Sequence, residues 1–231
     1  MDVDVIWSPQ VSARFPELAT CIGTVKGVEI EKSNEQLRQL KNTVYGEVRG
    51  KYNVDGLKDD STVRAYRDFC WKLNIDPTKT RPSGEALLRR VLHGSELPNI
   101  STVVDAYNLA SMKTIVPISG FDKDLLSPPF QVRFAENNDT FTGIGMNEPM
   151  MLEGNMLVLA DEKQVLCVYP YRDSDSPKIT DRARNMLVVG YGAPGIGEQQ
   201  LREAIETAVD YISQVARGEA EIVKVFSCKP K

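Results

Sequence analysis

Histidine is almost missing from this chain, because only His93 among its 231 residues carries an imidazole ring. Serine and cysteine hydrolase triads and histidine-rich zinc sites need that ring, so only His93 could serve them. His93 ends the stretch "SGEALLRRVLHG" and is followed by Gly94, a pattern typical of a helix C-terminus. We therefore interpret His93 as a structural residue.

Cysteine is also scarce, and the four cysteines lie too far apart to form a metal-binding CxxC pair: Cys21, Cys70, Cys167 and Cys228. Their spacing does not exclude a disulfide. So few cysteines in a chain of this size nevertheless favour reduced thiols buried as small apolar groups. We expect no metal and no redox cofactor.

Long apolar runs are absent, and none approaches the ~18 residues of a membrane span. The N-terminus opens with acidic Asp2 and Asp4 and does not resemble a signal peptide. These absences predict a soluble, cytoplasmic protein with no membrane partner. With 42% hydrophobic residues and no low-complexity linker, the sequence predicts one domain over residues 1–231.

Helical spacing of apolar residues is concentrated in the first half of the chain. It predicts helices in "NEQLRQLKNTVYGEV", "STVRAYRDFCWKL", the segment beginning near Ser83, and "STVVDAYNLASM". Strand patterns occur in "VDVIW" and "CIGTVKGVEI" and dominate from Ile115 onward. The long amphipathic helix "EQQLREAIETAVDYISQVAR" precedes a last strand, "EIVKVF". The sequence therefore predicts a layered α/β (α+β) fold with a helix-rich N-terminal half and a mainly β C-terminal half closed by that helix.

Positive charge is concentrated in one segment of an acidic chain. The net charge is −4, yet residues 64–92 hold seven basic side chains against three acidic ones. A local basic patch is what contact with a phosphate backbone requires, and two ordinary solvated helix faces are the alternative. We assign as candidate contacts to a nucleic-acid backbone Arg64, Arg67, Lys79, Arg81, Arg89 and Arg90.

Two further motifs suggest sites. The stretch "VVGYGAPGIG" satisfies GxGxxG. The strand after the next helix, "EIVKVF", runs out into "SCKPK" with no acidic residue there for a ribose, so a tight strand-to-helix turn is favoured over a nucleotide site. The stretch "VYPYRDSDSPKIT" collects polar groups where a strand ends, which is typical of a pocket wall and equally of a charged surface turn.

The segments "RDFCWKLNIDPTKTRPSGEALLRRVL", "LPNISTVVDAYNLASM" and "YRDSD" resemble the stand-alone B3/B4 family. That family is similar to the B3/B4 domain in the β subunit of phenylalanyl-tRNA synthetase, which hydrolyses tRNA wrongly charged with tyrosine. The resemblance covers the chain from Phe15 to the C-terminal helix. It implies a B3/B4-like fold with a pocket between sheet and helices, and tRNA or aminoacyl-tRNA as partner.

Three short motifs of the synthetase domain can be matched to residues of this chain. The synthetase pattern "VD, then N" resembles Asp105 and Asn108, its "FD" resembles Phe121 and Asp122, and its "LVIAD" resembles "LVLAD" ending at Asp161. The synthetase has a histidine just before "FD", where this chain has Ser119 and Gly120. Its glycine pair after the central strand is replaced by Arg172 and Asp173, and its tyrosine-recognising acid falls at Asp175.

The resemblance and the residue chemistry together give a candidate site. An aminoacyl ester is already activated, so a pocket that positions water and donates to the developing oxyanion supplies much of the acceleration without histidine. The candidate catalytic residues are Asn108, Ser119 and Asp105. The candidate substrate-binding residues are Asp175, Arg172, Asp173 and Tyr171, with Asp175 setting the choice of amino acid.

Three functions remain open. The leading hypothesis is a freestanding factor that hydrolyses misacylated aminoacyl-tRNA. The alternative is a tRNA- or amino-acid-binding module without catalysis, which the missing histidine and the acidic total charge favour. The third is an unrelated small-molecule enzyme that reuses the pocket.

Overall fold

The computed structural model describes residues 3–228. The helices are α1 Pro9–Arg14, α2 Glu35–Lys51, α3 Ser61–Lys72, α4 Ser83–Leu92, α5 Thr102–Thr114 and α6 Glu198–Ala216. The strands are β1 Val5–Trp7, β2 Ala19–Lys26, β3 Ile118–Asp122, β4 Phe130–Phe134, β5 Thr140–Phe141, β6 Met150–Met151, β7 Leu157–Ala160, β8 Val165–Val168, β9 Arg172–Asp173, β10 Asn185–Tyr191 and β11 Glu219–Ser227.

The predicted α/β fold is confirmed. Helices α2 to α5 fill the N-terminal half, strands β3 to β10 fill most of the rest, and α6 follows them before β11. The sequence analysis missed β5, β6 and β9, which have two residues each, and α1, whose six residues make fewer than two helical turns. Neither length shows a period. Between residues 3 and 228, no helix combines the length and the apolar character needed to cross a membrane.

The strands form two main sheets. One has four antiparallel strands in the order β11-β2-β10-β3. The other has five strands in the order β1-β4-β7-β8-β9, in which β1 runs parallel to β4 and the other neighbours are antiparallel. Strand β3 therefore lies at an edge of the first sheet, and β9 at an edge of the second.

Helix α6 packs against β2 and β10 at short range because glycines face it. A Cβ at Gly23 would lie 2.7 Å from Ile205, and a Cβ at Gly190 would lie 3.0 Å from the same side chain. Gly192 has no room for a Cβ either, because the Ala19 carbonyl oxygen occupies that space. The first two glycines of the GxGxxG motif therefore serve close packing, which agrees with the strand-to-helix turn favoured from the sequence.

A row of buried aromatic rings joins the helices to both sheets. Phe15, Phe69, Tyr169 and Tyr191 contact one another edge to face, with successive centroid distances of 5.3, 6.2 and 4.8 Å. The Tyr169 hydroxyl donates to the Gly192 carbonyl at 3.0 Å, so the polar end of this ring is satisfied inside the core. The row fixes the segment that leads from β8 to β9.

Helices α3 and α4 are tied together by one buried carboxylate. Glu85 is 1% exposed and accepts from Arg67 at 2.5 and 2.8 Å and from Arg89 at 2.6 Å, with Arg81 at 3.9 Å. Burial alone would raise the pKa of Glu85, but the hydrogen bonds from Arg67 and Arg89 hold it below its ordinary value of 4.5. Its stabilisation is therefore present above pH 4.5 and is lost as the pH falls through the lowered pKa.

Substitution of Glu85 tests this tie. Glu85→Gln leaves two partly buried guanidinium groups without their counter-charge, so we expect the free energy of unfolding at pH 7 to fall by about 3 kcal/mol. Denaturant unfolding measures it. Glu35→Gln is the matched control, because the Glu35–Arg38 pair is 60% exposed on both sides and surface pairs contribute little. Equal stability of both variants would contradict the role of Glu85.

Candidate active site

A cavity of about 300 Å³ lies between α5, β3 and the turn that leads into β9. Five of the residues predicted from the sequence line it together: Asn108, Ser119, Tyr171, Arg172 and Asp173. Tyr107, Gly120, Lys178 and Ser83, the first residue of α4, complete its polar and backbone wall. Residues distant in sequence thus converge on one concave site.

The cavity lies where edge strands β3 and β9 of the two sheets meet. The Ser119 hydroxyl on β3 donates to the Asp173 carboxylate on β9 at 2.5 Å. The contact continues along β3, where Phe121 forms a β-bridge with Lys178 and the Asp122 amide donates to the Pro177 carbonyl at 2.9 Å. A hydroxyl and a carboxylate are therefore held together in the wall of the cavity.

Asp173 is the acid of this site whose protonation responds near neutral pH. Burial raises its pKa from the ordinary 3.8 to about 6, although the hydrogen bond from Ser119 opposes the shift. The carboxylate is therefore mostly ionised at pH 7 and still basic enough to take a proton. A base with a pKa near the working pH is well suited to activate water.

The rim of the cavity carries an aromatic ring and a cation. Tyr171 is 48% exposed, and the guanidinium of Arg172 lies 6.0 Å from its ring centroid. The stem of Arg172 runs across Gly143, where a Cβ would stand 2.5 Å from Arg172 Cδ. Gly143 therefore lets the cation lie along the rim.

Asn108 projects from α5 into the cavity. It is partly buried, and within the part of the chain that the structure describes its side chain makes no hydrogen bond. Its amide is thus a free donor and acceptor in the cavity that Ser119 also lines.

Two predicted residues lie outside the cavity wall. Asp105 is fully buried beside the start of α5, where it accepts from Lys41 at 2.6 Å and from the Ile100 amide at 3.0 Å. Asp175 pairs with Lys178 at 2.8 Å, and it is Lys178 that lines the cavity. The structure therefore brings neither Asp105 nor Asp175 together with Asn108 and Ser119.

The predicted tRNA contacts differ in how much of their charge is used inside the protein. Arg67 and Arg89 bind Glu85, Arg64 binds Asp59 at 2.7 Å, and Arg90 donates to the Glu96 carbonyl at 2.6 Å. Lys79 is 84% exposed and Arg81 is 45% exposed, each with an acidic partner no closer than 3.9 Å. These two keep most of their charge for an external ligand.

The site shows no obvious place for a metal. In the range 3–228, no three His, Cys, Asp or Glu side chains lie close enough to hold an ion. The cysteines are buried free thiols, and burial raises the pKa of Cys21 to about 12 and of Cys70 to about 11. Thiols of this kind are poor nucleophiles at neutral pH.

Comparison with known proteins decides the family. The family model described as "B3/4 domain" matches residues 65–217. This chain belongs to the B3/4 domain family. Curated relatives of this B3/4 protein include the phenylalanine–tRNA ligase β subunit of Francisella tularensis, 26% identical over 88% of this chain, and that of Fusobacterium nucleatum, 21% identical over 99% of this chain.

The B3/4 chain spans only part of those relatives, namely 28% and 31% of the two β subunits. A solved N-terminal fragment of the phenylalanyl-tRNA synthetase β subunit from Pyrococcus horikoshii has the same fold, with a TM-score of 0.51 and 15% identity. The match covers 95% of this chain and 50% of the fragment.

Sequence reasoning missed three residues with polar side chains in the wall of the B3/4 cavity: Ser83, Tyr107 and Lys178. Tyr107 directly precedes Asn108 in the predicted helix "STVVDAYNLASM", where the apolar spacing is that of a residue facing the core. Gly120 was the sequence signal for Tyr107, because a residue without a side chain leaves room for a neighbouring ring to enter the site.

Asp173→Asn tests the electrostatics of the site. Since the folded pKa of about 6 lies above the ordinary 3.8, the unfolded chain ionises first, and stability falls as the pH rises from about 4 to about 6. The amide of asparagine still accepts from Ser119 and carries no charge. We expect a higher Tm than wild type at pH 7.5 and a smaller difference at pH 4.5, measured by calorimetry.

Asp161→Asn is the control, because the Asp161 carboxylate accepts from the backbone amides of Ser127, Lys163 and Gln164 at 2.8 to 2.9 Å. Its neutralisation should lower the Tm. A Tm for Asp173→Asn below that of wild type at pH 7.5 would contradict a burial penalty at Asp173.

Proposed function

We propose that this B3/4 chain binds the acceptor end of a misacylated aminoacyl-tRNA and hydrolyses its ester in the cavity. The observation that carries the proposal is the Ser119–Asp173 pair, held at 2.5 Å in a cavity that Asn108 also lines. The family and the tRNA ligase β subunits among its relatives support tRNA as the partner.

The residues present account for each atom of a hydrolysis. Water adds to the ester carbonyl carbon and gives a proton to the Asp173 carboxylate, whose pKa of about 6 suits that transfer. The tetrahedral intermediate then breaks its bond to the ribose oxygen, which takes the proton from Asp173. The products are a free amino acid and a tRNA with its terminal hydroxyl restored.

Size and lining limit what the cavity accepts. A volume of about 300 Å³ suits one amino-acid group, and Val104, Ile118 and Ile179 give it apolar walls. A single carboxylate beside a hydroxyl provides polar selection, because a ligand that leaves these groups unpaired is disfavoured.

Lys79 and Arg81 supply the phosphate contact in this proposal. Both keep exposed charge on the loop before α4, and Ser83 at the start of α4 lines the cavity. A tRNA backbone held by this loop therefore has its end directed toward the cavity.

A binding module without catalysis is the second candidate. It is favoured by Ser119 and Gly120, which stand where the related synthetase domain has its histidine and which carry no imidazole. Binding of charged tRNA without release of amino acid would identify this function.

The decisive measurement is release of amino acid from a panel of correctly and wrongly charged tRNAs by the full chain. We expect hydrolysis of at least one misacylated tRNA, with kcat rising through about pH 6 as Asp173 ionises. Asp173→Asn should lower kcat by about 100-fold, as loss of a general base does. Arg38→Ala, a change on exposed α2 surface, is the control. Activity of Asp173→Asn equal to wild type would refute the mechanism.

The tRNA contact has its own test. Lys79→Ala with Arg81→Ala should weaken tRNA binding and reduce the salt slope, log K against log salt, by about one unit per lost phosphate contact. A titration of tRNA affinity from low to moderate salt measures both, and Arg38→Ala again serves as the control. An unchanged slope would remove this loop from the interface.

A further inference from the structure

Position 120 lies beside the Ser119–Asp173 pair and carries no side chain. A Cβ at Gly120 would stand 2.6 Å from Cε1 and 3.3 Å from Cζ of Tyr107. The ring of Tyr107 therefore occupies the space that any side chain at position 120 would fill. Gly120 and Tyr107 form a complementary pair across β3 and α5.

The ring of Tyr107 is buried, and its hydroxyl has no protein partner in the part of the chain that the structure describes. Tyr107 is 8% exposed and lines the cavity, and its hydroxyl makes no hydrogen bond to any residue from 3 to 228. Buried tyrosine hydroxyls usually find a partner, as Tyr66 and Tyr169 do in this protein, although the hydroxyl of Tyr191 is fully buried without one among the described residues. Tyr107 differs from Tyr191 because it lines the cavity, where a ligand can reach it. A free phenol in a cavity wall therefore points to a group on a ligand.

The chemistry of this phenol is that of a donor. Burial raises the pKa of Tyr107, and the negative charges of Asp173 and Asp105 raise it further. The hydroxyl therefore keeps its proton over the physiological pH range and neither acts as a base nor attacks a substrate.

We propose that Tyr107 contacts the acyl group of the substrate and donates a hydrogen bond to its carbonyl oxygen as negative charge develops there. The inference rests on the proposed ester hydrolysis. It assigns a hydrogen-bond donor to the carbonyl oxygen of the ester, which the proposed hydrolysis leaves without one. When the water oxygen bonds to the carbonyl carbon, the π electron pair moves onto the carbonyl oxygen, and Tyr107 stabilises that oxygen without giving up its proton. The free Asn108 amide, one residue further along α5, is placed to act as a second donor.

Tyr107→Phe removes the hydroxyl and keeps the ring against Gly120. We expect kcat for ester hydrolysis to fall by about 100-fold, as loss of an oxyanion donor does, with tRNA affinity and Tm unchanged. Gly120→Ala keeps the hydroxyl but displaces the ring, and it should also lower kcat. The control is Tyr52→Phe, which removes a phenol outside the cavity. Wild-type kcat in Tyr107→Phe would overturn the inference while leaving the proposed hydrolysis standing.

Binding of a 3′-aminoacylamido-adenosine separates the two claims, because its amide is not hydrolysed. Calorimetry should show binding to the wild type and about tenfold weaker binding to Tyr107→Phe. If the wild type binds this probe but hydrolyses no ester, the proposed function fails and the Tyr107 contact stands. Equal binding by wild type and Tyr107→Phe sinks the contact, and no binding by the wild type overturns both.

Discussion

A single hydrogen bond between two sheet edges underlies the cavity. Ser119 on β3 donates to Asp173 on β9, and the same junction continues through the Asp122 amide and the Pro177 carbonyl. Exposed edge strands tend to pair with other chains, so joining two of them inside the protein removes that hazard. The junction also shields the Asp173 carboxylate in part from solvent, and this burial raises its pKa to about 6. The junction of β3 and β9 therefore both joins the two sheets and raises the pKa of Asp173.

Part of the positive charge in the basic segment stabilises the fold and is not available to a ligand. Glu85 is almost fully buried and takes the charge of Arg67 and Arg89, since a carboxylate in a low-dielectric interior needs close counter-charges. Lys79 and Arg81, on the loop before α4, have no such short contacts. The basic side chains of this segment therefore fall into two groups: some neutralise a buried carboxylate, and others keep their charge for an external ligand.

This site combines the fold of the B3/4 family with residues that differ from those of the related synthetase domain. The B3/4 match and the tRNA ligase β subunits identify the scaffold. Within it, Gly120 leaves a space that the Tyr107 ring fills, and Ser119 and Gly120 stand where the related synthetase sequence has a histidine just before its "FD". The Tyr107 phenol does not replace an imidazole as a base, because a phenol with a raised pKa donates a hydrogen bond but does not accept a proton near neutral pH. The scaffold alone therefore does not decide how the site works.

The sequence by itself determined the α/β order of elements, because helical and strand periods are local properties that survive in any tertiary context. It also pointed to Asn108, Ser119 and Asp173, through motifs and polar residues at strand ends. Only the tertiary structure decided that Asp105 binds Lys41 away from the cavity and that Tyr107 enters it. A buried charge is paired, and an empty space is filled, by residues that are distant in the sequence. A local sequence pattern does not specify which distant residue makes the contact.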